Sequence, residues 1–357
     1  MTHREIANYR VSSQKLLNTE KISPQEMVSH FGAIQAQDYA MAKWAIGSRS
    51  GVSEKTIEEA IHSAEIIRIH LLRPTWHFVA ANDIFWMLEL SAPQVKKFTA
   101  SIARKYDLDE KKLGKINGAI EKLLVGNNHL TRNEIMRELN LKSDSGAEFK
   151  AALIMMNAEL DGIVCNGCMR GKQITYALLD ERVREPKIKL TKEEGLAKLA
   201  KKYFESHGPA TVSDFAWWSG FSVTTAKLAL HLIESGLNSV QIESQTYWFG
   251  NSGFPNDNRA SNMLFLPSFD EFLISYKNRE ASISFENQSK AFTKNGIFKP
   301  IIVENGQVIG TWKRTIKKES VKVEAQLFET VDKNKKEGLV EVIKSYGIYL
   351  GSEIVME

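Results

Sequence analysis

Three times along this chain a hydroxyl residue stands three positions before an acid, at the start of a helical apolar pattern: Ser23-x-x-Glu26, Thr131-x-x-Glu134 and Thr211-x-x-Asp214. In such a box the hydroxyl accepts from an orphan amide of the first turn, and the acid complements the positive end of the helix. Each boxed helix is short, follows an earlier helix, and leads to a longer helix and then a hairpin. The longer helices are expected around 53–65, 146–161 and 222–235. The hairpins are expected over Ile66–Val79, Gly162–Leu179 and Ser239–Phe249, all rich in β-branched and aromatic residues. Helix, helix, helix, hairpin is the winged-helix plan, a variant of helix-turn-helix. One such unit constrains little, but three in tandem form a pattern.

Two further helices are expected after the first hairpin, around 82–92 and 93–106. Past about residue 255 the texture changes to strands: Met263–Leu266, Phe272–Tyr276, Lys299–Val303, Val308–Trp312 and Lys322–Leu327. Asn305-Gly306 joins two of them tightly, and one helix lies near 331–346. The expected fold class is α+β, with three tandem winged-helix units plus a C-terminal β-rich, barrel-like domain. The divisions are 1–110, the first winged helix with extra helices; 111–185; 186–254; and 255–357. A length of 357 residues suits two to four domains.

Composition is that of a soluble globular protein, with 43% hydrophobic and 25% charged residues and no apolar run able to span a bilayer. The N-terminal Met1-Thr2-His3-Arg4-Glu5 is charged and leads into no signal-like apolar segment, so a cytoplasmic protein is expected. Charge is unevenly spread. Residues 96–115 carry seven Lys/Arg against three acids, 187–202 six against two, and 313–323 five against one. Each stripe alone equals the net +4 of the whole chain, so the remainder is acidic. Such stripes fit a polyanion partner or solvated helix faces. The two cysteines, Cys165 and Cys168, lack the second half of a four-ligand zinc site, and no histidine has finger spacing. No metal is expected, and Asn166-Gly167 between them reads as a hairpin turn.

Gln35 and Gln37 lie one residue apart in Gly32-Ala33-Ile34-Gln35-Ala36-Gln37-Asp38-Tyr39, just past the first boxed helix. With eleven glutamines in 357 residues, chance supplies about one Gln-x-Gln in every three such chains. Context is therefore needed. It comes from Leu72-Arg73-Pro74-Thr75-Trp76-His77 in the first hairpin and from the Gly208-Pro209-Ala210-Thr211 to Trp217-Trp218-Ser219-Gly220 segment. Leu266-Pro267-Ser268-Phe269-Asp270-Glu271-Phe272, Tyr276-Lys277-Asn278-Arg279 and Gly310-Thr311-Trp312-Lys313 follow. In order and approximate spacing, the chain resembles the tandem winged-helix DNA-binding proteins that include the AlkZ-type DNA glycosylases, over nearly its whole length.

The resemblance implies a monofunctional glycosylase that removes bulky or crosslinked N7-alkylated purines from double-stranded DNA, with no cofactor. The family's catalytic Gln-x-Gln corresponds to Gln35 and Gln37; a related branch has Asp at the second position, where this chain has Gln. Asp38 is the nearest candidate for a true base or for balancing positive charge. Arg73, Thr75 and His77 on the wing, with Lys96, Lys97, Lys313 and Arg314 in the basic stripes, are the candidate DNA contacts. Trp217 and Trp218 read as packing residues. Asp270, Tyr276 and Arg279 read as a network tying the closing domain to the third winged helix. A monomer is expected.

The chemistry is consistent with amides. An N7-alkylguanine is already cationic, so its glycosidic bond breaks without a general acid. What remains is to stabilise an oxocarbenium ion and hold a water on the far face of the sugar. An amide is a poor base but a good positioner, accepting through its carbonyl and donating through its NH2. The competing reading is a non-catalytic winged-helix DNA-binding protein or regulator. Against it, third helices such as Phe149–Met156 and Thr224–Ile233 carry few Arg, Lys or Asn that could read base edges.

Overall fold

The computed structural model describes residues 1–17, 21–141, 146–184, 186–251, 263–317, 320–329 and 333–356. The divisions expected at 185 and 254 lie outside the described residues, as does Lys318 of the third basic stripe. Helices α1 (His3–Ser13) and α2 (Pro24–Phe31) precede a two-residue strand β1 (Ile34–Gln35), then α3 (Tyr39–Ser50) and α4 (Glu54–His62). Strands β2 (Ile66–Leu71) and β3 (Arg73–Ala80) lead to α5 (Ile84–Lys105), α6 (Glu110–Leu124), β4 (Leu130–Thr131) and α7 (Arg132–Glu138). Next come α8 (Ala147–Leu160), β5 (Val164–Asn166), β6 (Thr175–Leu178) and α9 (Leu179–Arg182). Helices α10 (Lys192–His207), α11 (Val212–Ser219) and α12 (Val223–His231) run into β7 (Asn238–Ile242) and β8 (Gln245–Phe249). The remainder is β9 (Met263–Leu266), α13 (Glu271–Ile274), α14 (Phe285–Ala291), β10 (Ile301–Glu304), β11 (Gln307–Ile316), β12 (Ser320–Leu327), α15 (Lys333–Leu350) and β13 (Glu353–Met356).

Two compact units result, one discontinuous (Met1–Glu58 with Ala197–Glu357) and one continuous (Glu59–Leu196). The discontinuous unit contains a curled half-barrel sheet in the order β13-β12-β11-β10-β9, antiparallel except for β12 and β13. Asn305 and Gly306 turn β10 into β11 with φ of 49° and 76°, the left-handed pair that a tight hairpin turn needs. Val11, Leu16, Leu266, Phe272, Ile301 and Val303 fill the core beneath this sheet. Helix α3 is fastened to it by Trp44, whose Nε1 donates to the Phe265 carbonyl at 2.6 Å and whose ring packs on Tyr346 and Tyr349. Gly47 permits that approach, since a Cβ there would stand 2.4 Å from the Tyr349 ring.

In the continuous unit, the β2/β3 hairpin sets Ile69 opposite His77 and His70 opposite Trp76. A second sheet, β4-β6-β5, shares a core of Val95, Leu113, Ile120, Ile135, Ile154 and Val164 with α5, α6 and α8. Glu159 is wholly buried and accepts from His70 and from Trp76 Nε1, which holds one face of the hairpin.

All three capping boxes form: Glu26, Glu134 and Asp214 each donate a backbone N–H to the boxed hydroxyl at 3.1–3.3 Å. Elsewhere long-range packing overrides local signals. The helices expected at 82–92 and 93–106 are one, α5, with Pro93 inside it. Pro93 and Glu89 are both exposed, so the carbonyl that proline leaves unbonded lies on the wet side of the helix. Asn166-Gly167 is not the turn. Asn166 is buried in β5 with its Oδ1 accepting from Arg68 at 2.7 Å, and the hairpin reverses at Gly171-Lys172, flanked by the Arg170–Gln173 pair. Gly167 is glycine for space, because a Cβ would meet His129 Nδ1 and Thr175 Oγ1 at 2.6 Å. The strand expected at Phe272–Tyr276 begins instead as helix α13, since Asp270 caps it by accepting from the Phe272 N–H at 2.9 Å. Helix α3 was not expected. It is buried on nearly every side, so it shows no amphipathic period.

His30 makes the discontinuous unit pH-sensitive. Its Nε2 lies 2.9 Å from the Ser13 carbonyl, and burial, together with nearby Lys15 and Lys202, pushes its pKa down to about 4. Between that value and the ordinary 6.5, the unfolded state binds the extra proton, so stability rises with pH across this window. Acidification from about 6.5 to about 4 is expected to remove up to about 3 kcal/mol. Urea unfolding at several pH values will show this slope, and His30→Gln will flatten it.

Candidate active site

The glutamine segment starts where α2 stops. Gly32, at φ 78°, ends that helix in a conformation natural only to glycine, and the chain straightens into β1. Gln35 is buried, and its backbone N–H donates to Glu271 Oε1 at 2.7 Å. In a continuing strand Gln37 would share a face with Gln35. The chain instead leaves the strand to enter α3 at Tyr39, and Gln37 is exposed. Asp38 is exposed and occupied on both oxygens. Its Oδ1 caps α3 by accepting from the Met41 N–H, and its Oδ2 accepts from the Ser268 hydroxyl, each at 3.1 Å.

Beneath Gln35 lies a buried polar cluster. Glu271 Oε2 accepts from the Ser275 hydroxyl and faces His207 Nε2 at 3.5 Å. Burial opposes the Glu271 charge, but the His207 ring, Ser275 and the Gln35 N–H outweigh it and hold the carboxyl down to about 2. Burial in turn pushes His207 below its ordinary value. The Ser206 hydroxyl donates to the Lys202 carbonyl at 2.6 Å, so its oxygen accepts from His207 Nδ1 at 2.8 Å. Next to Glu271, Asp270 receives both terminal nitrogens of Arg49, at 2.9 and 2.7 Å, with pair and partner each 1% exposed. Gln14 Oε1 accepts from the same guanidinium at 2.9 Å.

The other expected residues fall in both units. Lys313 is 71% exposed and pairs with Glu324 at 3.2 Å, while the Arg314 guanidinium lies over Tyr346 and donates to its hydroxyl. Burial pushes the Tyr346 phenol up to about 12, against the opposing effect of the Arg314 guanidinium. Arg73, Thr75, His77, Lys96 and Lys97 belong to the continuous unit. His77 is buried with Nδ1 3.0 Å from the Thr75 carbonyl, and the Thr75 hydroxyl is buried without a hydrogen-bond partner among the described residues. Lys96 pairs with Asp161, and Lys97 is exposed. Trp218 is buried, whereas Trp217 is 42% exposed, its Nε1 donating to the Ile274 carbonyl and its ring beneath Arg279. Among the described residues no group of three or more His, Cys, Asp or Glu is placed to hold a metal ion, and no helix is long and apolar enough to cross a membrane.

The model of the family described as DNA glycosylase AlkZ-like matches residues 28–347, from α2 through most of α15. The chain belongs to the AlkZ-like DNA glycosylase family. It is 21% identical to an interstrand DNA cross-link repair glycosylase of Streptomyces sahachiroi, with 87% of each chain covered. The fold is similar to that of the Streptomyces sahachiroi DNA glycosylase AlkZ, at a TM-score of 0.82 and 18% identity over the full length of both.

Within this AlkZ-like chain, sequence reasoning gave no role to Glu271, Ser268, His207 or Arg49. It also tied Asp270 to the wrong place: the carboxylate is bound to α3, while Tyr276, donating to the His207 carbonyl, and Arg279, over Trp217, do reach the segment of α10 and α11. The only available signal was that Ser268, Asp270 and Glu271 share one motif. Asp38 has a structural duty that can be measured separately from chemistry. Asp38→Ala removes the α3 cap and is expected to cost about 1 kcal/mol in urea unfolding, whereas Asp38→Asn, itself a good cap, costs much less.

Proposed function

We propose that this glycosylase hydrolyses the N-glycosidic bond of bulky or crosslinked N7-alkylated purines in double-stranded DNA, acting in the cytoplasm as a monomer without metal or cofactor. The carrying observation is the asymmetric glutamine pair, Gln35 buried with its backbone N–H on the Glu271 carboxylate and Gln37 exposed two residues later. The name of the Streptomyces relative supports crosslinks as a substrate class. In this reading the chain is three winged-helix units, 1–110, 111–185 and 186–254, closed by the β-rich domain 255–357. Three boxed helices lead to a hairpin, through one further helix after α7 and α11 and through two, α3 and α4, after α2, which supports it.

The leaving base carries its own positive charge, so the protein need not donate a proton. Gln35 and Gln37 hold the attacking water and stabilise the oxocarbenium ion as it forms. Asp38 already accepts two hydrogen bonds, which favours the amides as the leading groups and leaves Asp38 to balance positive charge. Arg73, Thr75, His77, Lys96, Lys97, Lys313 and Arg314 contact DNA in this proposal. Bulky adducts do not swing into a snug pocket, so the reaction proceeds without full base flipping.

Gln37→Ala, and to a similar or smaller degree Gln35→Ala, should slow base release from duplex DNA containing N7-methylguanine by about a hundredfold, on the order of 3 kcal/mol. Affinity for undamaged duplex should hardly change, because neither residue carries charge. Abasic-site formation under single turnover and direct binding measure the two. Asp38→Asn decides the base, since a large loss would return the lead to the carboxylate. Wild-type protein that binds alkylated duplex but releases no base would overturn the proposal.

Binding to undamaged duplex should also weaken with salt. The log–log slope is expected to be roughly −0.9 per phosphate engaged. Binding that ignores salt would remove the basic stripes from the DNA interface.

A further inference from the structure

The Gln35 segment and the Leu266–Phe272 segment meet at two points of matching spacing. Gln35 N–H reaches Glu271 Oε1 at 2.7 Å, and Asp38 Oδ2 accepts from the Ser268 hydroxyl at 3.1 Å. Gln37 lies between the two contacts. Phe269, between Ser268 and Glu271, has φ 56°, a region that bulky side chains rarely adopt. Such strain persists where the surroundings over-determine it. Here Phe269 packs on the Phe298 ring at 6.3 Å and joins the core beneath the sheet, while Asp270 on its other side is locked to Arg49.

A buried carboxylate is a costly way to satisfy one peptide N–H, and a backbone carbonyl could do the same. What the charge adds is strength and direction, since hydrogen bonds to ionised acceptors are shorter and stronger than neutral ones. Its own position is over-determined by Ser275 and His207, which belong to different elements. We propose that Glu271 is a positioning residue for the reaction: its carboxylate fixes the Ile34–Gln35 peptide, and thereby the direction in which the Gln35 side chain leaves the backbone. Glu271 touches no reacting atom. It acts through Gln35, and the proposal rests on the glycosylase reading above.

The test is Glu271→Gln in the full chain, with three readouts: single-turnover base release from N7-methylguanine duplex, affinity for undamaged duplex, and the Gln35 backbone amide signal. The last is read by 15N-glutamine labelling and assigned by its loss in Gln35→Asn. In the wild type the Gln35 amide proton is expected downfield, as a donor to a charged acceptor. In Glu271→Gln it should move upfield and release should slow about tenfold or more, with affinity unchanged within about twofold. If that variant does not fold, Ser275→Ala, which keeps the charge but frees one oxygen, carries the same pair of readouts with a smaller loss. Release at the wild-type rate, or slowed release with the Gln35 amide unmoved, overturns the positioning role and leaves the glycosylase reading intact. Wild-type protein that releases no base overturns that reading, whatever the amide shift reports.

Discussion

The Arg49–Asp270 ion pair is the constraint on which the discontinuous unit depends. Arg49 lies in the last turn of α3 and Asp270 caps α13, so one bidentate contact sets the distance between two elements 221 residues apart in sequence. Breaking one side of such a pair typically costs about 3–5 kcal/mol, because the remaining charge is stranded away from water. Gln35 comes before α3 and Glu271 directly follows Asp270. The pair that orders the scaffold therefore also sets the Gln35 backbone N–H against the Glu271 carboxylate.

Arg10, Asp214, His207 and Glu271 are buried in the same unit. Arg10 stacks on Tyr276 at 3.6 Å and donates to the Pro209 carbonyl, while Asp214 accepts from Thr211 and from the Lys277 and Asn278 amides. Apolar cores tolerate small slips, whereas hydrogen-bonded charges do not, since a slip leaves a polar group unsatisfied. An interior built this way gains definition more than net stability.

What could be read from the sequence divides by range. The capping boxes, the Asn305-Gly306 turn and the three hairpins are local, and each formed close to where the residues put it. Asn166-Gly167 within β5 is a genuine local signal redirected by a tertiary partner, Arg68, whereas α5 carries Pro93 on its exposed side and α13 starts on its own local Asp270 cap. Helix α3 carried no periodic signal because it is enclosed. The glutamines were legible as a motif, but Glu271 was not legible as the partner of Gln35, because a backbone-to-carboxylate contact across 236 residues leaves no spacing to find.

The discontinuous unit has a consequence for synthesis. Residues 1–58 emerge first, yet the groups that fix their 35–38 loop, Ser268, Asp270 and Glu271, and the sheet that covers α3 are made last. At roughly 5–20 residues per second, the nascent chain carries its glutamine loop unsupported for tens of seconds, while the intervening 59–196 unit already has all it needs to fold. Closing the first unit joins segments far apart along the chain, the kind of step that slows folding. A ribosome that stops between residues 196 and 268 thus leaves a complete middle unit and a first segment without the partners that hold it.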